Sequence, residues 1–300
     1  MGARAGERAR GPSRGVARAP RPLVPGPGRA VRLIDVRHLG REHVIGAWLV
    51  DGVLVDPGPA STVDTLLAEL GDERPRALAL THIHLDHGGA AGTLVRRWPD
   101  LEVWVHERGA PHLADPSRLL RSAARLYGDD MDRLWGETLP VPRERIRVLG
   151  DSDRLGDFRS AYTPGHASHH VSYLHEPSGM AFTGDAAGVR VGDGPVMAPT
   201  PPPDVDLEAW RSSLDLIESW APAAVAPTHF GRHEDVRAHL DGVRAYLDEW
   251  APRARELDRD AWIAAWREHI APAGEVPAIE QAMPPDQQWM GLDRYWSGRE

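Results

Sequence analysis

Residues 81–89 read Thr-His-Ile-His-Leu-Asp-His-Gly-Gly. At this composition an H-x-H-x-D-H string arises by chance roughly 0.003 times in a chain of this length. It follows the apolar run Ala77–Leu80, which reads as a short buried strand, so the string sits at a strand's C-terminal end. In extended chain, residues i and i+2 point the same way, so His82 and His84 can face one ion side by side. Asp86 and His87 come where the chain turns into a Gly-rich helix start, and they point elsewhere. One short segment can thereby offer two pairs of ligands to two neighbouring ions.

Three more segments are of the same kind: Tyr162-Thr163-Pro164-Gly165-His166, Phe182-Thr183-Gly184-Asp185 and Ala226-Pro227-Thr228-His229-Phe230-Gly231. Each is the end of an apolar strand passing into a small-residue turn, with His or Asp at the tip. Taken alone, His166 or His229 would read as a turn or core histidine. Taken together, strand ends on one edge of a sandwich make a common site, because their loops converge while the strands hold them rigid. The candidate ligands are His82, His84, Asp86, His87, His166, Asp185 and His229. That is about the number needed by two divalent ions of four or five ligands each with one carboxylate shared. Donors that are all N and O suit Zn²⁺, with Fe or Mn as alternatives.

The chain contains no Cys, no Lys and no Asn. A disulfide framework, a thiolate metal site, a Cys nucleophile, a Schiff base and a P-loop lysine are all excluded. Residues 1–30 hold seven Arg, one Glu and 11 Gly or Pro, and read as a disordered tail. The net charge of −9 then leaves residues 31–300 at about −15, against a nucleic-acid groove, which needs a basic stripe. No apolar run approaches the ~18 residues of a membrane span. The expectation is a cytoplasmic protein with a small-molecule substrate and neither nucleic acid nor membrane as partner.

From Val31 onward, strands are expected at Val31–Val36, Val44–Val50, Val53–Asp56, Ala77–Leu80, Val103–Val105, Ile146–Leu149, Phe158–Thr163, His170–Leu174, Met180–Thr183 and Ala223–Ala226. Helices are expected at Pro59–Leu70, Gly89–Trp98, Leu207–Trp220 and through most of the chain after Arg232. Early hairpins mixed with helical crossovers suggest an α+β architecture of two mixed sheets with helices outside. The division expected is a core domain over 31–250 and a helical C-terminal extension over 251–300. In that extension Trp262 and Trp266 share one helical face. With Trp289 and Trp296 they read as packing on the sandwich, a pocket cover or a homodimer contact being the alternatives.

These residues resemble the metallo-β-lactamase-fold hydrolases, whose pattern is T-H-x-H-x-D-H-x-G, then P-G-H, then G-D, then a His after the last core strand. They stand here as Thr81–Gly89, Pro164–His166, Gly184–Asp185 and His229, and Val55-Asp56-Pro57-Gly58 is similar to the family's early Asp-x-Gly turn. The resemblance covers about residues 31–232 and implies a four-layer αβ/βα sandwich, with the site at the edge between two sheets. It implies His82, His84 and His166 on a first ion, Asp86, His87 and His229 on a second, and Asp185 between them. Asp56 and His170 match positions that often support the ligands. The implied activity is a metal-dependent hydrolase in which a hydroxide held by two divalent ions attacks a small ester, thioester or lactone. Asp86 is the candidate catalytic group, orienting the nucleophile and handing its proton to the leaving group.

The branch it most resembles is glyoxalase II, not a true β-lactamase, whose best-known class uses a Cys ligand and a Lys or Asn for substrate. A glutathione grip typically uses Lys, which is missing here. Two alternatives remain: a mononuclear iron oxidoreductase of the same fold, similar to the persulfide dioxygenases, and a non-catalytic binding protein. The stretch His106–Gly136 could be a lid supplying His112 and Tyr127, or a helix on the exterior. Arg190 is a candidate for an anionic substrate group.

Overall fold

The computed structural model describes residues 1–2 and 31–299; the disorder expected for the tail falls, over residues 3–30, outside the described residues. The first sheet runs in the order β1 (Arg32–Asp35), β2 (Gly46–Val50), β3 (Val53–Val55), β4 (Ala77–Ala79), β5 (Glu102–His106), β6 (Ile146–Leu149). Its first three strands pair antiparallel, and β3 to β6 pair parallel. The β2–β3 hairpin turns at Asp51 and Gly52, both at positive φ (50° and 72°), the conformation of a two-residue turn matched to strand twist.

The second sheet is built from β7 (Ser152–Leu155), β8 (Phe158–Tyr162), β9 (Val171–His175), β10 (Met180–Phe182) and β11 (Ala224–Ala226), in the spatial order β11-β10-β9-β8-β7. Strands β10 and β11 are parallel, and β8 and β10 both run antiparallel to β9. Thus β8, β10 and β11 all point one way. Strand β7 had no counterpart among the expected strands. It is an edge strand, Ser-Asp-Arg-Leu, with only Leu155 buried, so it carries almost no apolar signal, and its pairing with β8 defines it.

The period of two along each strand divides the core. Trp48, Val50, Val53, Val55, Ala77, Ala79 and Trp104 of the first sheet meet Phe158, Val171, Tyr173, Met180, Phe182 and Ala226 of the second in one cluster. The alternate residues Leu49, Leu54, Leu78, Val103, Leu174, Ala181 and Val225 join a larger core shared with the helices. Both faces of each sheet are therefore covered, which is why these strands read as near-continuous apolar runs. The result is the expected four-layer αβ/βα sandwich.

The helices are α1 (Val63–Leu70), α2 (Leu85–Gly88), α3 (Ala91–Arg97), α4 (Ala110–Ala114), α5 (Ser117–Tyr127), α6 (Met131–Trp135), α7 (Leu207–Ser219), α8 (Val236–Glu256), α9 (Arg259–Ile270), α10 (Val276–Ala282) and α11 (Pro285–Ser297). Asp206 and Asp258 cap α7 and α9, each accepting a hydrogen bond from the backbone N–H three residues on, at 3.0 and 2.9 Å. The division expected at residue 250 falls inside α8, an unbroken helix. Trp250, Trp262 and Trp266 are all buried in the same large core as the sandwich. The C-terminal tryptophans thus pack on the sandwich, and Trp266 donates from Nε1 to the Tyr246 hydroxyl at 2.9 Å.

Candidate metal centre

The C-terminal ends of β3, β4, β8, β10 and β11 carry the polar residues singled out in the sequence. His82 and His84 lie in the extended segment after β4, and Asp86 and His87 lie on the one-turn helix α2. His166 follows β8, Asp185 follows β10 and His229 follows β11. Two glycines make the turns. Gly165 (φ +140°) lies against Trp210, and Gly184 (φ +45°) against Thr81 and His170; at each a Cβ would collide with these neighbours. Only glycine allows both the backbone angle and the approach.

All seven candidates converge. His82 Nε2 and His166 Nε2 each stand 3.0 Å from His84 Nδ1, and these three residues form one group able to hold an ion. Asp86, His87 and His229 form a second such group, with Asp86 Oδ2 3.6 Å from His87 Nε2 and 3.4 Å from His229 Nε2. Asp185 lies between them. Its Oδ1 is 3.3 Å from His87 Nε2 and 3.7 Å from His229 Nε2, while its Oδ2 is 3.2 Å from His166 Nε2.

The outer nitrogens show which lone pairs are free. His166 Nδ1 donates to Pro199 O at 2.8 Å and His229 Nδ1 to Val44 O at 2.5 Å. His87 Nδ1 donates to Asp56 Oδ2 at 2.9 Å. The Thr81 hydroxyl donates to Asp56 at 2.7 Å and accepts from His82 Nδ1 at 3.1 Å. Each of these rings therefore turns its Nε2 toward the cluster, the arrangement that orients histidine ligands. Asp56, fully buried, also accepts from the Thr81 N–H at 2.8 Å and from the Thr228 hydroxyl at 2.8 Å, and so ties three loops together.

The site's charge fits the same use. Burial pushes His82 and His166 below the ordinary imidazole value and His84 down to about 4, so all three are neutral bases at pH 7. Burial pushes the Asp86 and Asp185 carboxyls up, but His87 first, then His229 and, for Asp185, His166 more than reverse this, so both stay ionised. Burial would lower His87 too, but Asp185, Asp86 and Asp56 outweigh it and raise His87 well above its usual value. These two carboxylates thus demand positive charge that the chain answers only with protons on His87 and His229, the latter also raised because Asp185 and Asp86 outweigh its burial. His87 Nε2 and Asp185 Oδ1 are buried without a hydrogen-bond partner. Orphaned donor atoms facing one another across the cluster are what cations would satisfy.

A cavity of about 340 Å³ opens above the cluster, with His84, Asp86, His166, Asp185 and His229 in its floor. Helices α5 and α6, the Pro199–Pro203 loop and α10–α11 all contribute walls. The stretch 106–136 therefore forms part of a cover: Tyr127 and Trp135 line the cavity, and His112 does not. Arg190 lies outside the lining and pairs with Asp235 at 3.0 Å. His170 is buried, bonded through Nδ1 to the Thr163 hydroxyl at 3.0 Å and stacked on His82. Sequence reasoning missed His38, Gln281, Gln287 and Gln288, which line the cavity, and gave no role to Thr228 beside His229. The four lining residues lie far from the motif, and only folding brings them near it.

The profile of the Metallo-beta-lactamase superfamily matches residues 45–229, the span that holds every residue of the cluster. The chain is 32% identical over 161 residues to the metallo-beta-lactamase fold-containing protein ST1585 of Sulfurisphaera tokodaii, covering 51% of this chain and 60% of that one. It is 30% identical over 155 residues to a hydroxyacylglutathione hydrolase of Legionella pneumophila, 49% of each. The alignments thus span about half to three-fifths of these curated relatives. The crystal structure of ST1585 superposes with a TM-score of 0.60 at 26% identity, over 72% of this chain and 86% of that one. A family protein of Thermus thermophilus, TTHA1429, superposes with a TM-score of 0.60 over 91% and 94% at 19% identity, a likeness of fold alone.

Proposed function

The chain belongs to the metallo-beta-lactamase superfamily, and from that premise we propose that it is a dinuclear metallo-hydrolase of a small ester, thioester or lactone. The observation that carries the reading is Asp185, with one oxygen toward each histidine group. His82, His84 and His166 would hold one divalent ion and Asp86, His87 and His229 the other, with Asp185 shared and Zn²⁺ the preferred metal. Such ions, when bound, supply water acidified toward neutrality and Lewis-acid stabilisation of a developing oxyanion.

The chain's own residues do the rest. Asp86 faces the cavity with its carboxylate partly exposed, while its Oδ2 meets His87 and His229. From there it orients an attacking water, takes its proton and passes it to the leaving alkoxide or thiolate. Asp56 holds His87 and the Thr81 and Thr228 hydroxyls, which keeps the ligand loops in register. The covered cavity positions the acyl group over His84 and Asp185 and limits access of bulk water. The net reaction adds water across the acyl C–O or C–S bond to give an acid and an alcohol or thiol.

The name of the Legionella relative points to a hydroxyacylglutathione, and the missing lysine of a glutathione grip argues against that substrate here. A single-ion oxidoreductase would leave the second histidine group without a task. The test is elemental analysis of protein purified without added metal, together with a panel of esters, thioesters and lactones. Near two ions per chain with turnover of one class supports the reading. Near one iron per chain with no hydrolysis overturns it.

A further inference from the structure

The cavity walls determine what the non-reacting part of a substrate can be. Among the described residues that line the cavity there is no Arg, and the chain has no Lys. His38 is held below the ordinary imidazole value, chiefly by burial, and so is neutral. Burial pushes the Tyr127 hydroxyl well above its ordinary value, so it too stays neutral. The one acid of the lining away from the cluster, Asp130, pairs with Arg133 at 2.9 Å.

Most polar groups of the walls are already engaged. Gln288 accepts from Thr200 N–H at 2.5 Å and donates to Pro284 O at 3.3 Å. Gln281 accepts from Arg41 at 2.8 Å and donates to His38 O at 2.9 Å. Gln287 differs. Its Oε1 accepts from Tyr127 at 3.1 Å, and among the described residues no hydrogen bond engages its Nε2. The surrounding wall is apolar, formed by Leu119, Ala123, Leu126, Leu134 and Trp135 together with the prolines of the 199–203 loop.

We propose that the substrate is an uncharged acyl compound, its apolar chain seated against Leu126 and Trp135 and one neutral acceptor held by the Gln287 amide, and that carboxylate-bearing acyl carriers are refused. The proposal rests on the hydrolase reading above. A carboxylate placed in this cavity away from the floor would lose its hydration without gaining a cation. Burial of an unpaired charge is among the most unfavourable events in a binding site.

The test uses the metal-loaded full chain and two matched pairs of probes. S-octanoyl-N-acetylcysteamine and S-octanoylglutathione carry the same acyl group on a neutral and on an anionic thiol. The corresponding S-octyl thioethers cannot be hydrolysed, and their binding is followed by tryptophan fluorescence, to which Trp135 contributes from the cavity wall. The neutral member is expected to lead by about tenfold or more in both kcat/KM and affinity, the ratio that about 1.4 kcal/mol of desolvation produces. Gln287→Arg, and independently Leu126→Arg, should move both ratios toward the anionic member.

Equal or better binding of S-octylglutathione overturns the proposal, whatever happens to the thioesters. A neutral preference among thioethers with no turnover of any ester, thioester or lactone instead sinks the hydrolase reading and leaves the cavity inference standing. Turnover with an anionic preference does the reverse.

Discussion

The floor and the roof of the cavity are built on opposite plans. The floor consists of short turns at the ends of five strands, largely buried and tied by hydrogen bonds to backbone or to Asp56. The roof comes from three stretches far apart in sequence: α5–α6, the Pro199–Pro203 loop and α10–α11. It is joined by a few side-chain bonds, Tyr127 to Gln287 at 3.1 Å, His38 to Leu134 O at 2.8 Å and Gln281 to His38. Chemistry demands sub-ångström placement, and strands supply it. Selection of a substrate needs shape and polarity, and loops and helix ends can vary these without disturbing the ligands.

If the floor is a dinuclear centre, Asp185→Asn should have the largest effect. It should lower kcat by about 10³-fold and reduce bound metal, read by elemental analysis beside activity. Unchanged metal content and activity would break the comparison outright. Asp56→Asn comes next, with metal affinity weakened by about 10- to 100-fold through the loosened His87, Thr81 and Thr228. Competition with a chelator measures it.

Changes to the roof should spare the metal. Trp135→Ala should raise KM by about tenfold, through lost apolar contact, with metal content unaltered. A loss of metal in that variant would show that floor and roof are not separable. Tyr127→Phe removes one hydrogen bond between α5 and α11, worth about 0.5–1.5 kcal/mol, and should change KM only a few-fold.

The smallest effect is a pH dependence of the roof. Burial, as the main cause, lowers the folded-state pKa of His38, so between that value and the ordinary 6.5 the unfolded chain binds more protons than the folded one. His38 therefore contributes stability at neutral pH that is lost as pH falls below about 6.5. Protonation also removes the Nδ1 acceptor used by Gln281. Protection factors of the Leu134 and Trp135 amides, taken against the intrinsic exchange rate at each pH, should fall from pH 7 to pH 5, and His38→Gln should flatten that dependence.

The same contrast governs what could be read in advance. The candidate ligands lie in four short segments in which His, Asp and Gly stand at spacings imposed by strand ends and tight turns. Local geometry forces residue type there. Gly184 is the clearest case, since its backbone angle and the approach of Thr81 both exclude a side chain. The near-continuous apolar runs of β2, β3 and β4 likewise betray a sheet covered on both faces before any packing is known. Edge strand β7 escaped because half of its residues face solvent.

The candidate ligands, the strands of two mixed sheets and the helical character of the C-terminal end were thus legible in the amino-acid sequence by itself, because each leaves a pattern within a few residues, while the four-layer arrangement came with the family resemblance. The folded chain alone decided that α8 bridges the boundary drawn at residue 250 and that Asp56 collects donors from Thr81, His87 and Thr228. It decided as well that Gln287, 160 residues beyond Tyr127, meets it above Asp86 and Asp185. A glutamine or tyrosine in a helix carries no local mark of the partner it will find. Only the closing of the chain over the sheet edge brings such residues together and leaves between them a cavity whose described walls carry no Arg.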